Sequence, residues 1–193
     1  MIALKKNIKD ATMPTLFKAM IAFIVLTLTF NYSALALAQN ITDTIDSKTI
    51  IVVRHAEKLS DGSRDPLLSD VGYQQAQALA EVLTDLTVSQ AIASNYHRTQ
   101  LTLKPLVNAH NISLTTVSTK EGIEAHIAEI VALVQSSNGN SVIAGHSNTV
   151  PLIIKALGGP QIATLDESSY GELYQLTIHP SGEVSFEISQ FGQ

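Results

Sequence analysis

The chain reads as an α/β protein: a three-layer sandwich with a mostly parallel central sheet, helices on both faces and a C-terminal hairpin at one edge. Two observations predict this. Short, continuous apolar runs at residues 49–53, 91–93, 112–117 and 141–144 alternate with stretches of helical apolar spacing, the β-α-β order that builds a parallel sheet. A strand buried on both faces shows such unbroken runs. Beyond residue 170 the pattern changes to strict alternation, as expected of antiparallel strands with one packed face and one wet face.

The first run, residues 49–53, is the first strand. Ser69 or Asp70 can cap a helix through about Leu83, with Leu79, Val82, Leu83 and Leu86 on its core side. A short strand at 91–93 leads to a helix over 99–109 that Pro105 kinks or restarts. The strand at 112–117 precedes a helix on which Ile123, Ile127, Ile130, Val131 and Val134 recur at helical spacing. Residues 136–140 form a loop and 141–144 a buried strand, and the helix over 150–157 is closed by Gly158-Gly159-Pro160. Tyr174, Leu176 and Ile178 alternate with polar residues, as do Val184, Phe186 and Ile188, around the turn residues Pro180-Ser181-Gly182.

Chemistry-bearing residues cluster where three of these apolar runs stop. Val52-Val53-Arg54-His55-Ala56-Glu57 ends the first, Ser94-Asn95-Tyr96-His97-Arg98-Thr99 follows the second, and Ala144-Gly145-His146-Ser147-Asn148 ends the fourth. Open α/β sheets bind ligands in the crevice outside the carboxyl ends of their strands. The chain has only three arginines, Arg54, Arg64 and Arg98, against nine lysines. Two of the three stand at strand ends beside histidines. A guanidinium fork matches two phosphate oxygens, which a lysine cannot do, so the pattern points to a phosphate group.

Arg54-His55 resembles the arginine–histidine signature of the histidine phosphatase superfamily, which includes cofactor-dependent phosphoglycerate mutases and many acid phosphatases. Asp65-Pro66-Leu67-Leu68-Ser69-Asp70-Val71-Gly72, followed by Gln75-Ala76, is similar to that family's entry to its first helix. Ser94, Arg98, Thr99 and Thr102 resemble its second-arginine motif, and Gly145-His146-Ser147 its second histidine. The four motifs keep the family's order and span residues 50 to 147. Ala56 stands where many members have glycine, a small-for-small exchange.

The resemblance implies a metal-independent phosphatase needing no cofactor and acting on a small phosphorylated substrate. His55 is then the nucleophile, one ring nitrogen held as N–H by a backbone carbonyl and the other bare toward phosphorus. Arg54 and Arg98 neutralise the phosphoryl oxygens, His146 donates to the same group, and Asn148 adds a side-chain donor. Ser147 or Thr149 can start the following helix and bring free N–H groups to the phosphate. The leaving oxygen needs a proton, which the family often takes from a carboxylic acid after the second-arginine helix or directly after the second histidine. Ser147 occupies the latter place. Glu121 is the first candidate acid and Glu124 the next, while Glu57 reads as a loop-structuring residue. Arg64 reads as a solvated loop residue, and His97, His110, His126 and His179 as surface or edge residues.

The N-terminus reads as an export signal. Lys5, Lys6, Lys9 and Lys18 precede an apolar run at 19–30, and Ala36-Leu37-Ala38 offers a small-x-small cleavage pattern. The run is shorter than the roughly 20 apolar residues that span a bilayer. The expected layout is a signal peptide over 1–38, a flexible arm over 39–48 and a catalytic domain over 49–193, placing the mature chain in the periplasm or outside the cell with no stable membrane anchor. Cleavage after Ala38 removes four lysines and Asp10, taking the formal charge from −5 to −8. Such an acidic body is a poor partner for nucleic acid. With no cysteine, thiol chemistry is excluded. No long insertion separates the motifs, so the pocket should be open and suited to small phosphomonoesters, phosphosugars or a phosphohistidine. Two other readings remain at this level: a non-catalytic phosphate- or phosphosugar-binding module, and a metal hydrolase using His55, Glu57 and His146.

Overall fold

A computed structural model of the protein describes residues 47–192. The residues expected to form a signal peptide, and most of those expected to form the arm, lie outside them. Ten elements follow one another: β1 (Lys48–Arg54), α1 (Asp70–Val82), β2 (Val88–Ser94), α2 (His97–His110), β3 (Leu114–Val117), α3 (Ile123–Ser136), β4 (Asn140–Gly145), α4 (Val150–Ala156), β5 (Glu172–Ile178) and β6 (Val184–Gln190). Lys48, placed in the arm by the sequence, is the first residue of β1; its ammonium donates to the carbonyls of Val134 and Ser137 at the end of α3.

The strands form one six-stranded sheet in the order β3-β2-β4-β1-β5-β6. β3, β2, β4 and β1 are mutually parallel, and β5 and β6 complete the edge as an antiparallel hairpin. The registers Arg54↔Gly145, Ala93↔Ala144 and Ser94↔Val117 bring the ends of all four parallel strands level. The residues that follow them therefore share one rim.

Strand alternation sorts the core onto two faces. Ile50, Val52, Ile92 and Ile143 pack with Ile130 and Val134 of α3 and Ile153 and Ile154 of α4. Ile51, Val53, Ala91, Ala93, Val142 and Ala144 pack with Leu79 of α1 and Leu103 and Leu106 of α2. Each such isoleucine or leucine, taken fully from water, contributes about 1.5–3 kcal/mol. On the hairpin, Phe186 stacks on Tyr174 with ring centroids 6.3 Å apart.

Several local expectations change. The buried stripe of α1 is Gly72, Gln75, Ala76, Leu79 and Ala80, continuing to Leu83 just past its end; Val82, expected inward, falls on the flank of that stripe in the last turn and is 56% exposed. Pro105 sits within one continuous helix and does not restart it. His126, expected at the surface, is 1% exposed. It falls four residues before Ile130 and eight before Val134, on the packed face of α3.

Candidate active site

The loop after β1 is fixed before its side chains are considered. The N–H of His55 donates to the Gly145 carbonyl at 2.9 Å, that of Ala56 to Thr102 Oγ1 at 2.8 Å and that of Glu57 to Gln75 Oε1 at 2.8 Å. A strand, α2 and α1 thus each take one of three consecutive donors. Ser69 caps α1 by accepting from the Gly72 N–H, and its hydroxyl donates to Glu57 Oε1 at 2.6 Å. Glu57 therefore structures the loop. Gly72 is required here by contact: a Cβ on it would lie 2.0 Å from the Glu57 carbonyl oxygen.

On this frame His55 is 3% exposed, and its Nδ1 lies 2.8 Å from the Ala56 carbonyl oxygen. A carbonyl only accepts, so Nδ1 carries the hydrogen and Nε2 is the bare nitrogen. Burial, reinforced by the charges of Arg54, Arg98 and Lys58, pushes the His55 pKa down to about 4. The ring is neutral at neutral pH, the form a nucleophile requires.

His146 stands beside it, ring centroids 5.4 Å apart at 64°. Its Nδ1 is 3.4 Å from Arg98 Nη2 and its Nε2 is 2.9 Å from Ser94 Oγ. Arginine only donates, so Nδ1 accepts and Nε2 donates to Ser94, whose hydroxyl lies 2.8 Å from Thr99 Oγ1. Burial and then Arg98 lower the His146 pKa to about 3. In this structure His146 orients Arg98 and spends its one ring hydrogen on Ser94; the expected donation to a ligand requires a second proton on Nδ1.

Arg98 lies over the Tyr96 ring, its Cζ 4.3 Å from the centroid, and its Nη1 is 3.5 Å from Asp65. Asp65 also takes the His97 backbone N–H at 2.9 Å and faces His97 Nδ1 at 2.8 Å. Arg54, 2% exposed, is committed elsewhere: Nη1 donates to the carbonyls of Asp166 and Ser169 at 2.7 and 2.8 Å, and Nη2 to Glu167 at 3.1 Å. Its Cζ lies 4.4 Å from the Tyr170 ring centroid. The Nε atoms of both arginines are buried and unpartnered among the described residues, so each guanidinium keeps an unmet donor, a costly state unless an acceptor arrives.

A cavity of about 480 Å³ opens at this edge of the sheet. His55 and His146 lie in its wall with Arg98, Asn148 and Ser147; Arg54 does not line it. Lys58, Tyr96, Thr119 and Glu167 line it as well, and the sequence reading named none of them for the site. Arg64 is exposed and outside the lining, and so is Glu121. Glu124 borders a separate, mostly apolar hollow of about 590 Å³ between α3 and α4 that contains none of the motif residues. Neither carboxylate expected as the acid reaches the cavity. Glu167 does. Its side chain is 71% exposed, bonded to Arg54 and accepting a hydrogen bond from the Ser147 hydroxyl. That bond, with the charges of Arg54, Lys58 and Arg98, holds its carboxyl below the usual range.

The expected N–H groups at the start of α4 are not free. Those of Thr149 and Val150 both donate to the His146 carbonyl, Pro151 has none, and Thr149 Oγ1 accepts from the His146 N–H at 2.8 Å. The tight turn between β4 and α4 consumes them. Among the described residues no group of three or more histidine and acidic side chains is placed to hold a metal ion.

Residues 50–128, covering β1 to the first part of α3, match the profile of the histidine phosphatase superfamily (branch 1). The similarity to that superfamily spans the segment that carries Arg54, His55 and Arg98. Solved structures of similar fold include the protein histidine phosphatase SixA complexed with tungstate, at TM-score 0.60 and 16% identity, covering 75% of this chain and 97% of that one. Mycobacterial glucosyl-3-phosphoglycerate phosphatase superposes at TM-score 0.55 and 15% identity, over 76% and 99% of the two chains. Phosphoglycerate mutase from Bacillus anthracis str. Sterne superposes at 0.56 and 15%, over 77% and 94%. No curated protein matches by sequence. At these identities the likeness concerns the fold, an α/β architecture with a mostly parallel central sheet.

Proposed function

We propose that the chain is an exported phosphatase that hydrolyses phosphomonoesters, or a phosphoramidate, through a phosphohistidine on His55. The observation that carries this reading is a neutral His55 whose Nδ1 is held by Ala56 while Nε2 is bare, beside Arg98, which keeps an unmet buried donor. A neutral nitrogen escapes most of the repulsion that phosphate oxygens exert on an anionic nucleophile, and a covalent intermediate divides a hard step into two easier ones.

Nε2 of His55 attacks phosphorus while Arg98 stabilises the equatorial oxygens. The dianion raises the proton affinity of His146, whose Nδ1 then takes a proton and becomes a second donor. Arg54 joins as the substrate competes with Glu167 for its guanidinium, and Asn148 supplies a further donor at the mouth. The charge that a metal would provide comes from arginine in this scheme, so hydrolysis should survive chelation and be inhibited by vanadate. The superfamily and the phosphatases of similar fold support the reaction class, and the open cavity suits small substrates. Export rests on the lysine-flanked apolar run and Ala36-Leu37-Ala38.

Rapid quench with labelled substrate, followed by peptide mapping, tests the mechanism. The label should be acid-labile, base-stable and confined to the peptide carrying His55, and His55→Ala should lose both label and hydrolysis while keeping its circular dichroism. A label elsewhere, or hydrolysis by His55→Ala, overturns it.

A further inference from the structure

We propose that Glu167, on the loop between α4 and β5, is the proton donor to the leaving oxygen. The inference rests on the phosphatase reading above. Glu167 is the one acidic side chain among the described residues that line the cavity. It also stands on the required side. His55 and His146 are buried at 3% and 9% exposure, whereas the Glu167 side chain is 71% exposed at the mouth. In-line displacement sends the leaving oxygen away from the nucleophile, so a group attacked by His55 from the buried side departs toward the mouth, where the carboxyl waits.

Its charge state follows from its neighbours. Arg54 from β1, Lys58 from the following loop and Arg98 from α2 attract the carboxylate, Ser147 donates to it, and Asp166 adjoins it in sequence; His55 and His146 are neutral. In the free protein this set keeps Glu167 ionised. A phosphoryl dianion draws on the same cations and places a like charge in the same cavity. Both changes raise the affinity of the carboxylate for a proton. Substrate binding thus loads the acid.

The step balances. The His55 Nε2 lone pair forms the bond to phosphorus, the ester bond breaks with its electron pair on the leaving oxygen, and that oxygen takes the proton from Glu167. In the second step the Glu167 carboxylate accepts a proton from water as the water oxygen attacks phosphorus, and the nitrogen–phosphorus bond returns its pair to His55.

The test compares the full chain with Glu167→Gln and Glu167→Asp on an alkyl phosphate and on p-nitrophenyl phosphate, whose leaving group needs no acid. Glu167→Gln should lower kcat/KM for the alkyl ester by about 10²–10³-fold and for the aryl ester by no more than about tenfold, with the alkaline limb of the alkyl pH profile removed. Glu167→Asp should recover part of the alkyl activity and the limb. Equal losses on both esters would mean that Glu167 only positions Arg54, and a gain on both would make it an occluding anion; either result overturns the proposal while leaving the phosphatase reading intact. If the unaltered chain hydrolyses neither ester, the phosphatase reading fails and takes this inference with it.

Discussion

At the scale of single residues, the two site histidines connect reactivity to acid stability. Both have folded-state pKa values below the ordinary 6.5, at about 4 for His55 and about 3 for His146. Between those values and 6.5 the unfolded chain binds more protons than the native one, so stability rises with pH. The contribution is fully present above about pH 6.5 and is lost as pH falls toward the folded values; at about 1.4 kcal/mol per unit the loss reaches roughly 3 kcal/mol for His55 by pH 4. Urea unfolding between pH 7 and 4 should therefore show a falling midpoint, and His55→Asn should flatten the slope; a wild-type midpoint constant over that range would contradict the assigned burial. Much of this site is legible in the chain because His55, Arg98 and His146 each follow an apolar run that ends at one sheet edge. Glu167 is not, because residues 160–171 have neither periodicity nor motif, and only the path of the loop back over Arg54 brings that carboxylate to the cavity. His126 was within reach of sequence reasoning, since its spacing of four from Ile130 places it on the packed stripe; a polar side chain there simply reads as surface.

At the scale of elements, α1 has a double duty that a hydrophobic pattern does not show. Its inward stripe begins with Gly72 and Gln75, a residue without a side chain and a polar one. The first lets the helix start approach the Glu57 carbonyl, and the second satisfies the Glu57 N–H. Apolar spacing therefore locates the helix but, by counting Val82, misplaces its inner face. Gly72→Ala must move either the helix start or the Glu57 backbone, since the added carbon would sit 2.0 Å from the carbonyl oxygen. We expect a loss of about 1–3 kcal/mol, the usual cost of overpacking, with kcat/KM falling although no reacting group is altered. Chemical denaturation and steady-state kinetics on the one variant check both; unchanged values would show that the contact relaxes freely. The turn into α4 teaches the converse. Sequence correctly placed a helix after His146, but the N–H groups expected to face a phosphate are consumed by the His146 carbonyl.

For the molecule as a whole, the alternation of apolar runs sufficed for the layers, the strand direction and the edge hairpin, because each strand's burial depends only on which faces are covered. Strand order is another matter: β4 inserts between β1 and β2, which no local pattern records, and this insertion is what brings His146 beside His55. The N-terminal 46 residues lie outside the described structure, and the export proposal makes its own prediction there. N-terminal sequencing of the protein recovered from the cell envelope or medium should begin at or within a few residues of Gln39; a product beginning at Met1 in the cytosol would refute it.

The three hydrogen bonds that fix the loop after β1 come from Gly145, Thr102 and Gln75, residues far apart in the chain. Ordering a residue costs about 1–2 kcal/mol of backbone conformational entropy, with more for the side chain. Because these bonds form when the domain folds, that loss is incurred once, at synthesis, and not at every encounter with a substrate. The His55 imidazole has almost no rotational freedom left to surrender, so binding energy from the phosphoryl group is available for the reaction itself.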